Sequence, residues 1–399
     1  KVPMRFRIFT LTCATLFLAM PVFPYGALGH ETVGAIADMK LAGTPTGAQV
    51  TKLLDGITLS RASVLADEIK GWDKLPKGQP KPIVLKDHPQ LQEQLVAFWE
   101  ANPPTKEIGS DAPTHKEFHY TDVPAVNGGK YVKGNLGTEP YDIVQMIPFC
   151  VRVLSGAEPE TNARKITKPI ALILLAHYVG DIHQPLHVGN AYFSSAGNLV
   201  NPTKGGKSFP DHGGNGFNMI LGNSQNSKSD SKSDSKSGGK SSGKKSSKSK
   251  GTNLHSFWDS DAVEEALKHV DTQIEKQPNH KGKATDEEVI AWFANSEPTD
   301  WKPAAKSQPT EWAQAWANEI IPMSTQAHER LEFSNVTIKN ESASGDATEK
   351  KMPDGISYLE WSGSRTEEEL HKAGWRLAAI IEASLESKKP AASKTKSAQ

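Results

Sequence analysis

The segment at residues 174–190, LLAHYVGDIHQPLHVGN, concentrates histidine and aspartate side chains that could do chemistry. His177 and Asp181 are four residues apart, so on a helix they project from one face. A proline shortly after Asp181 disfavours continuation of the helix, which is therefore predicted to end near that residue. His183 and His187 then fall in the following loop. A single pair of this kind is often an ordinary surface contact, so its meaning depends on the other residues.

Further residues of the same types occur elsewhere in the chain. His255 and Asp259 form a second pair with four-residue spacing in NLHSFWDSD. His115 and His119 lie in HKEFHYTD, and Asp67 closes the short stretch SVLAD. Imidazole and carboxylate donors without thiolate suit zinc at a catalytic site, or manganese. The residues alone favour a site with several metal ions, with scattered structural residues as the alternative.

The elements that must position these side chains follow a helical pattern nearly throughout. Val33, Ile36 and Ala37 recur at helical spacing, and the Gly-Thr-Pro sequence at 43–45 is predicted to stop that run. Long alternating patterns typical of strands are scarce, so the sequence predicts an all-α domain with one long loop region near 103–138. Helices are predicted at residues 30–41, 59–70, 88–101, 140–154, 165–181, 258–274, 285–296, 308–333 and 365–386.

Composition and cysteine content add few constraints on function. The chain has 399 residues and a formal net charge of zero, so no overall field favours or excludes a polyanionic partner. Its cysteines are Cys13 and Cys150. Since Cys13 lies in the segment predicted to be removed, no intramolecular disulfide is expected. Cys150, within IPFCV, is predicted to be a buried small hydrophobe.

The N-terminal segment, residues 1–24, has the features of a secretory signal. Two arginines precede an apolar run that is too short to span a bilayer comfortably, and no later segment approaches about 18 apolar residues. We therefore expect a secreted or periplasmic protein without stable membrane association. Cleavage before Tyr25 would leave a proline at the cut, whereas a cut after Gly29 would make His30 the first residue.

A Ser/Lys/Gly repeat at about residues 224–251 interrupts the helical pattern. It holds eight lysines and no apolar residue over its repetitive part, so it cannot bury a core and is predicted to be disordered. It is either a solvated insertion or a flexible basic arm that gathers nucleic acid. The predicted organisation is one domain, residues 25–387, that contains this insertion, followed by a basic disordered tail at 388–399.

These motifs together resemble the S1/P1 nucleases, zinc-dependent single-strand nucleases and 3′-nucleotidases that share a helical fold with bacterial zinc phospholipase C. The resemblance covers the chain from Tyr25 to about residue 384, apart from the Ser/Lys insertion. The motifs follow the family's order: Gly-His at 29–30, Ala-Asp at 66–67, Phe-His-Tyr-Thr-Asp at 118–122, His-x-x-Gly-Asp-Ile-His-Gln-Pro-Leu-His at 177–187, Gly-Gly-Asn at 213–215 and Asn-Leu-His-x-x-Trp-Asp at 253–259.

The resemblance implies three zinc ions per chain. The implied ligands are Asp67, His119, His177 and Asp181 for the first ion, His187, His255 and Asp259 for the second, and His30, Asp181 and the Tyr25 main chain for the third. Asp67 would also orient or deprotonate the attacking water. His183 has no ligand role in this pattern and is expected to lie in a second shell or to face solvent. The family usually begins its mature chain with Trp, whereas this chain has Tyr25.

The resemblance also implies how substrate is held. Tyr120 would stack on a base and Asp122 would bind its edge, while Gly214 and Asn215 would contact phosphate. Single-stranded DNA or RNA and 3′-nucleotides are then the expected substrates of a monomeric enzyme that releases 5′-nucleotides. Plain core packing is the alternative for Tyr120. For the whole chain the alternatives are a phospholipase C-type phosphodiesterase and an inactive exported protein that binds metal or nucleic acid.

Overall fold

The computed structural model describes residues 26–76, 78–103, 114–221 and 252–386. The predicted signal segment, the whole Ser/Lys insertion, the basic tail and Tyr25 lie outside the described residues. Within them, helices dominate and the sheets are small, which confirms the all-α fold class. None of the described helices is both long and apolar enough to cross a membrane. The α-helices of the described part are α1 (Gly26–Leu41), α2 (Pro45–Leu53), α3 (Leu59–Ala62), α4 (Leu65–Glu68), α5 (Pro89–Ala101), α6 (Ile143–Ser155), α7 (Lys168–Asp181), α8 (Leu254–Asp259), α9 (Asp261–Glu275), α10 (Asp286–Asn295), α11 (Trp312–Glu329) and α12 (Tyr358–Glu386).

Helix α7 forms the centre of the largest core. Thr167 caps its N-terminus by accepting a hydrogen bond from the main-chain N–H of Ile170, and a proline occupies its first turn. Every residue from Ile170 to Asp181 is buried, because α1, α3, α5, α6 and α12 pack around the helix. A helix that is apolar all round must lie inside the molecule. His177 and Asp181 are therefore held in the interior, where polar groups need partners.

Two helix boundaries near the N-terminus differ from the prediction. The predicted stop at 43–45 is followed at once by α2, because the Thr44 side chain accepts from the Gly47 N–H and Pro45 suits the first turn. The predicted helix at 59–70 is divided into α3, α4 and a 3₁₀ helix at Ile69–Lys74. The break between α3 and α4 leaves the Ser63 carbonyl available to accept a hydrogen bond from His177.

The C-terminal half contains strands that the helical pattern did not predict. Helix α11 ends at Glu329, whereas the predicted helix at 308–333 ran beyond it. The hairpin that follows consists of β6 (Leu331–Lys339) and β7 (Ser342–Glu349). Its second strand pairs with β5 (Phe217–Ile220), which precedes the insertion, so the order of strands in the sheet is β5-β7-β6. This sheet and α8 enclose a second core around Phe193, Phe217 and Trp258. The strands of the described part are β1 (Val123–Pro124), β2 (Gly189–Asn190), β3 (Tyr192–Phe193), β4 (Phe209–Pro210), β5 (Phe217–Ile220), β6 (Leu331–Lys339) and β7 (Ser342–Glu349).

The long loop region has little regular structure where it is described. Residues 114–138 contain a 3₁₀ helix, His115–His119, and the two-residue strand β1. Strand β1 pairs in parallel with β2, which directly follows the His187 loop. This pairing brings the 118–122 motif beside the 177–187 motif.

Candidate metal centre and substrate cleft

Four buried side chains from three separate elements meet at the end of α7. The Nδ1 of His119 lies 2.9 Å from the Nε2 of His177 and 3.0 Å from Oδ2 of Asp181. Asp67 on α4 completes the group, with Oδ1 3.6 Å from the His177 Nε2 and 3.9 Å from the His119 Nδ1. Asp67, His119 and His177 each offer a donor atom within 4.8 Å of the others, so they could hold a metal ion.

His30 reaches the same cluster from α1. Its Nε2 lies 3.3 Å from Oδ1 of Asp181, and its ring stacks on that of His177 at 3.9 Å between centroids. Gly180 makes this approach possible, since a Cβ there would lie 2.7 Å from the His30 ring nitrogen. His30, His177 and Asp181 form a second group of donors within 4.8 Å of one another.

A third group joins the loop after α7 to helix α8. His255 and Asp259 lie one turn apart on α8, with Nε2 3.6 Å from Oδ2, and the rings of His187 and His255 are 4.8 Å apart. The Gln184 side-chain N–H donates to Oδ1 of Asp259 at 2.9 Å, which links the loop to α8. His187, His255 and Asp259 also offer donor atoms within 4.8 Å of one another.

Main-chain carbonyls set the orientation of three of these imidazoles. The Nδ1 of His177 lies 2.6 Å from the Ser63 carbonyl, that of His187 lies 2.8 Å from the His119 carbonyl, and that of His255 lies 2.8 Å from the Gly213 carbonyl. Because a carbonyl can only accept, each of these Nδ1 atoms carries a proton, and the Nε2 of each ring is the atom left to act as a donor to a metal ion. Metal-binding histidines characteristically have such partners.

The electrostatics of the cluster favour cation binding. Burial lowers the pKa of His30, burial and the nearby Lys70 hold the pKa of His119 well below 6.5, and burial lowers the pKa of His187 to about 3. These imidazoles are therefore neutral, as ligands must be. Burial alone would raise the pKa of Asp181, but the attraction of the neighbouring His177 holds it well below 3.8, so this carboxylate is ionised.

Several buried donor atoms lack a hydrogen-bond partner in the described part of the protein, and a metal ion would supply one. The Nε2 of His187, Oδ1 of Asp181 and Oδ2 of Asp67 have no hydrogen-bond partner among the described residues. A buried polar atom left in this way costs about 1–3 kcal/mol. Nitrogen and oxygen donors in groups of three fit zinc, and the same donors also suit manganese.

A cleft of about 430 Å³ opens onto this centre. The residues that line the cleft include members of the donor groups, two lysines and three of the four residues predicted to hold substrate. Asp67 lines a separate cavity of about 270 Å³ together with Ala27 and Glu31. The residues that line the larger cleft are Lys70, Lys116, His119, Tyr120, Asp122, Leu186, His187, His212, Gly213, Asn215, Asn253, His255, Ser256 and Asp259.

The residues predicted to hold substrate lie in or beside this cleft. Tyr120 is 38% exposed, so it is not a core residue. Burial, and more weakly its acidic neighbours, raises the pKa of Asp122 to about 7. Asn215 lines the cleft, and its side-chain amide donates to the His212 carbonyl at 2.8 Å. Gly214 is buried against Leu254.

His183 is completely buried, so of the two predicted alternatives the one that has it face solvent is wrong. Its Nδ1 donates to the Val179 carbonyl at 2.6 Å, and its Nε2 accepts from Arg376 on α12 at 2.9 Å. Both ring nitrogens of His183 therefore contact residues outside the three donor groups. His115 is also separate from them, since its Nε2 contacts Asp73 at 3.0 Å.

Two lysines of the cleft were not identified from the sequence. Lys70 follows Asp67 by three residues, and its Nζ lies 2.7 Å from Oδ1 of that carboxylate. Lys116 extends from the 3₁₀ helix that carries His119, and its Nζ lies 2.9 Å from Asp73. The three-residue spacing of Asp67 and Lys70 was the available signal, because such residues share a helix face. Both lysines put positive charge at the mouth of a site built from imidazoles and carboxylates.

Comparison with known proteins agrees with this geometry. No protein of curated function matches the chain. A protein-family model described as S1/P1 Nuclease matches residues 25–386, a range that includes every residue of the three donor groups. The chain therefore belongs to the S1/P1 nuclease family, whose members are metal-dependent nucleases.

Proposed function

We propose that this protein is a zinc-dependent phosphodiesterase that hydrolyses single-stranded DNA and RNA to 5′-nucleotides and also removes phosphate from 3′-nucleotides. The observation that carries the proposal is the shared cleft, which is lined by His119, His187 and His255 and also by Tyr120 and Asp122. A phosphate ester placed beside the imidazoles would have its base within reach of an aromatic ring and a carboxylate.

The three groups of donors would each hold one zinc ion. We propose Asp67, His119, His177 and Asp181 for the first, His187, His255 and Asp259 for the second, and His30 with Asp181 for the third. Bound zinc would supply Lewis acidity toward a phosphate ester and lower the pKa of water at the site. In the protein, the carbonyls of Ser63, His119 and Gly213 hold three of these rings in position before any substrate arrives.

Asp67 and Lys70 would act on the reacting groups. The Oδ2 of Asp67 would orient the attacking water and accept its proton, since that oxygen has no hydrogen-bond partner among the described residues. The Lys70 ammonium, beside Asp67 and on the cleft surface, would bind a phosphate oxygen and stabilise the charge that develops there. Attack from the Asp67 side expels the 3′-oxygen and leaves the phosphate on the 5′-side of the product.

Tyr120 and Asp122 would account for a preference for unpaired nucleic acid. An exposed aromatic ring can stack on a base, and a neighbouring carboxylate can bind the base edge. Both contacts require that the base be unstacked and unpaired, as in a single strand. Gly214 and Asn215 would contribute the turn on which a phosphate rests, close to His255.

The third zinc ion would also require the main chain of residue 25. Helix α1 begins at Gly26, and its second turn carries the buried His30. A cut after Gly29 would remove the first turn of this helix, whereas a cut before Tyr25 retains it. The family match also begins at residue 25. We therefore propose Tyr25 as the mature N-terminus, in an exported, monomeric, single-domain enzyme without stable membrane association.

Substrate specificity and metal content test the proposal together. Purified protein with zinc should cleave single-stranded DNA, RNA and 3′-AMP, and chelation should abolish this activity. Cleavage of phosphatidylcholine without release of nucleotides would replace the proposal with a phospholipase. Far fewer than three zinc ions per chain, without turnover of any substrate, would indicate an inactive binding protein. N-terminal sequencing of the exported protein tests Tyr25.

A further inference from the structure

One buried amide links the two functional parts of the cleft. Asn190, at the end of β2, is completely buried. Its Nδ2 lies 2.9 Å from Oδ1 of Asp122, and its Oδ1 lies 2.8 Å from the main-chain nitrogen of Gly213. Because the Gly213 N–H can only donate, the Asn190 oxygen must accept there, and the NH₂ group must therefore point at Asp122. The orientation of the amide is thus determined by its partners.

The Asp122 end of this link fixes a carboxylate that would otherwise rotate. The main chain of Asp122 is held separately, through its N–H to the Gly137 carbonyl and its carbonyl to the Tyr192 hydroxyl. In the described part of the chain, Asn190 is the side chain that hydrogen-bonds the carboxylate itself. With Oδ1 engaged in this way, the second oxygen of Asp122 is the one left for a ligand in the cleft.

The Gly213 end of the link supports a proposed metal ligand. Gly213 has a positive φ of 62°, and a Cβ there would lie 2.4 Å from the Leu186 carbonyl, so its place in the turn is tightly defined. Its N–H is held by Asn190 and its carbonyl accepts from the His255 ring. Asn190 therefore acts on His255 through one glycine residue.

The surroundings hold Asn190 in place without using its side chain. Its carbonyl accepts from the Ala125 N–H at 2.8 Å, which maintains the pairing of β1 with β2. The next residue, Ala191, exchanges hydrogen bonds with Asp211, and Asp211 pairs with the buried His328 at 3.0 Å. Among the described residues, the Asn190 side-chain amide therefore bonds only to the two cleft residues, whereas its main chain makes the hydrogen bond that pairs the strands.

We propose that Asn190 is a positioning residue that sets the base-binding carboxylate of Asp122 and the His255 turn in one fixed arrangement. The inference rests on the proposed function, because it assigns Asp122 to the base. It concerns recognition of the base, and it therefore predicts that loss of the Asn190–Asp122 bond affects substrates with bases and spares substrates without them.

The experiment compares two single-stranded oligodeoxynucleotides, one with adenine throughout and one made of abasic tetrahydrofuran nucleotides, using the zinc-loaded full chain. Asn190→Asp keeps the acceptor for Gly213 but places a carboxylate against Asp122. It should raise KM for the adenine oligomer about tenfold or more, the loss expected for one hydrogen bond to a charged group, with little change in kcat. The abasic oligomer should be cleaved as by the wild type, and zinc affinity should be unchanged.

Asn190→Leu removes both arms of the link at nearly constant size. It should show the same discrimination between oligomers and should also release zinc more readily in a chelator titration, since the His255 turn loses its support. Asn162→Leu is the matched control, because Asn162 is also a buried amide but bonds only within its own loop. It should leave the ratio of KM values unchanged.

Asp122→Ala provides an independent check through a double-mutant cycle. If Asn190 acts through Asp122, adding Asn190→Asp to Asp122→Ala should raise KM no further. Equal losses on both oligomers, an unchanged KM, or additive effects would overturn the inference, and unchanged zinc retention in Asn190→Leu would overturn its His255 part. A wild-type enzyme that cleaves neither oligomer nor 3′-AMP would instead refute the proposed function.

Discussion

Two histidines of the same motif, His183 and His187, should respond to alanine substitution in opposite ways. His183 is completely buried and bonded at both ring nitrogens, to the Val179 carbonyl and to Arg376. Its removal leaves a cavity and an unpaired guanidinium N–H. Loss of a hydrogen bond to a charged group costs about 1.5–3 kcal/mol, so with the cavity we expect His183→Ala to lower the free energy of unfolding by about 3 kcal/mol.

His187 should show the reverse pattern. Its Nε2 has no hydrogen-bond partner among the described residues, and its Nδ1 makes one bond to the His119 carbonyl. Because the His187 ring lines the open cleft, its removal enlarges that cleft and leaves no closed cavity, so His187→Ala should destabilise chelator-treated protein by only about 1 kcal/mol. The variant should nevertheless lose zinc, and its kcat should fall by more than about a hundredfold. Removal of a metal ligand reduces metal affinity and activity more than removal of a residue that only hydrogen-bonds a ligand.

Three measurements on each variant separate these outcomes. Denaturant unfolding of chelator-treated protein gives stability, a zinc titration gives the number of ions bound, and kcat on single-stranded DNA is measured where circular dichroism shows the variant to be folded. The reasoning would be refuted if folded His183→Ala lost zinc or more than about tenfold in kcat. It would equally fail if His187→Ala were as destabilising as His183→Ala.

Three further predictions concern Asp67, the buried carboxyl group of Glu369 and the lysines of residues 224–251. Asp67→Asn should abolish turnover while most zinc stays bound, and retained turnover would contradict the role of Asp67. Burial raises the pKa of Glu369 from 4.5 to about 7 in spite of the opposing charge of Lys372, so the folded state holds an extra proton between these values and stability falls as pH rises through them. Glu369→Gln should lessen this fall in the free energy of unfolding between about pH 4.5 and 8 by up to about 3 kcal/mol, and an unchanged pH dependence would refute the assignment. Deleting residues 224–251 should make the salt dependence of single-strand binding shallower by up to about 4 in log–log slope if the lysines bind phosphates, and an unchanged slope would favour a solvated insertion.

Local relationships were readable from the sequence alone. The pairs His177–Asp181 and His255–Asp259 depend only on helical spacing, and the structure places both pairs in groups of donors that could hold a metal ion. Helical periodicity likewise predicted the α-helical class, and Pro185 predicted the end of α7 near Asp181. Such inferences hold because a helix places residues four apart on one face whatever lies beyond it.

Tertiary structure alone decided which of these elements meet. The approach of His30 to Asp181 depends on the packing of α1 against α7 with Gly180 between them. The separation of the two residues along the chain does not give the distance between their side chains. The β6–β7 hairpin was missed because strands acquire their partners from elsewhere in the fold. His183 and His187 have the same chemistry and nearly the same place in the sequence. In the fold, the Val179 carbonyl and Arg376 on α12 engage both ring nitrogens of His183, whereas the Nε2 of His187 lies among the donor atoms of His255 and Asp259.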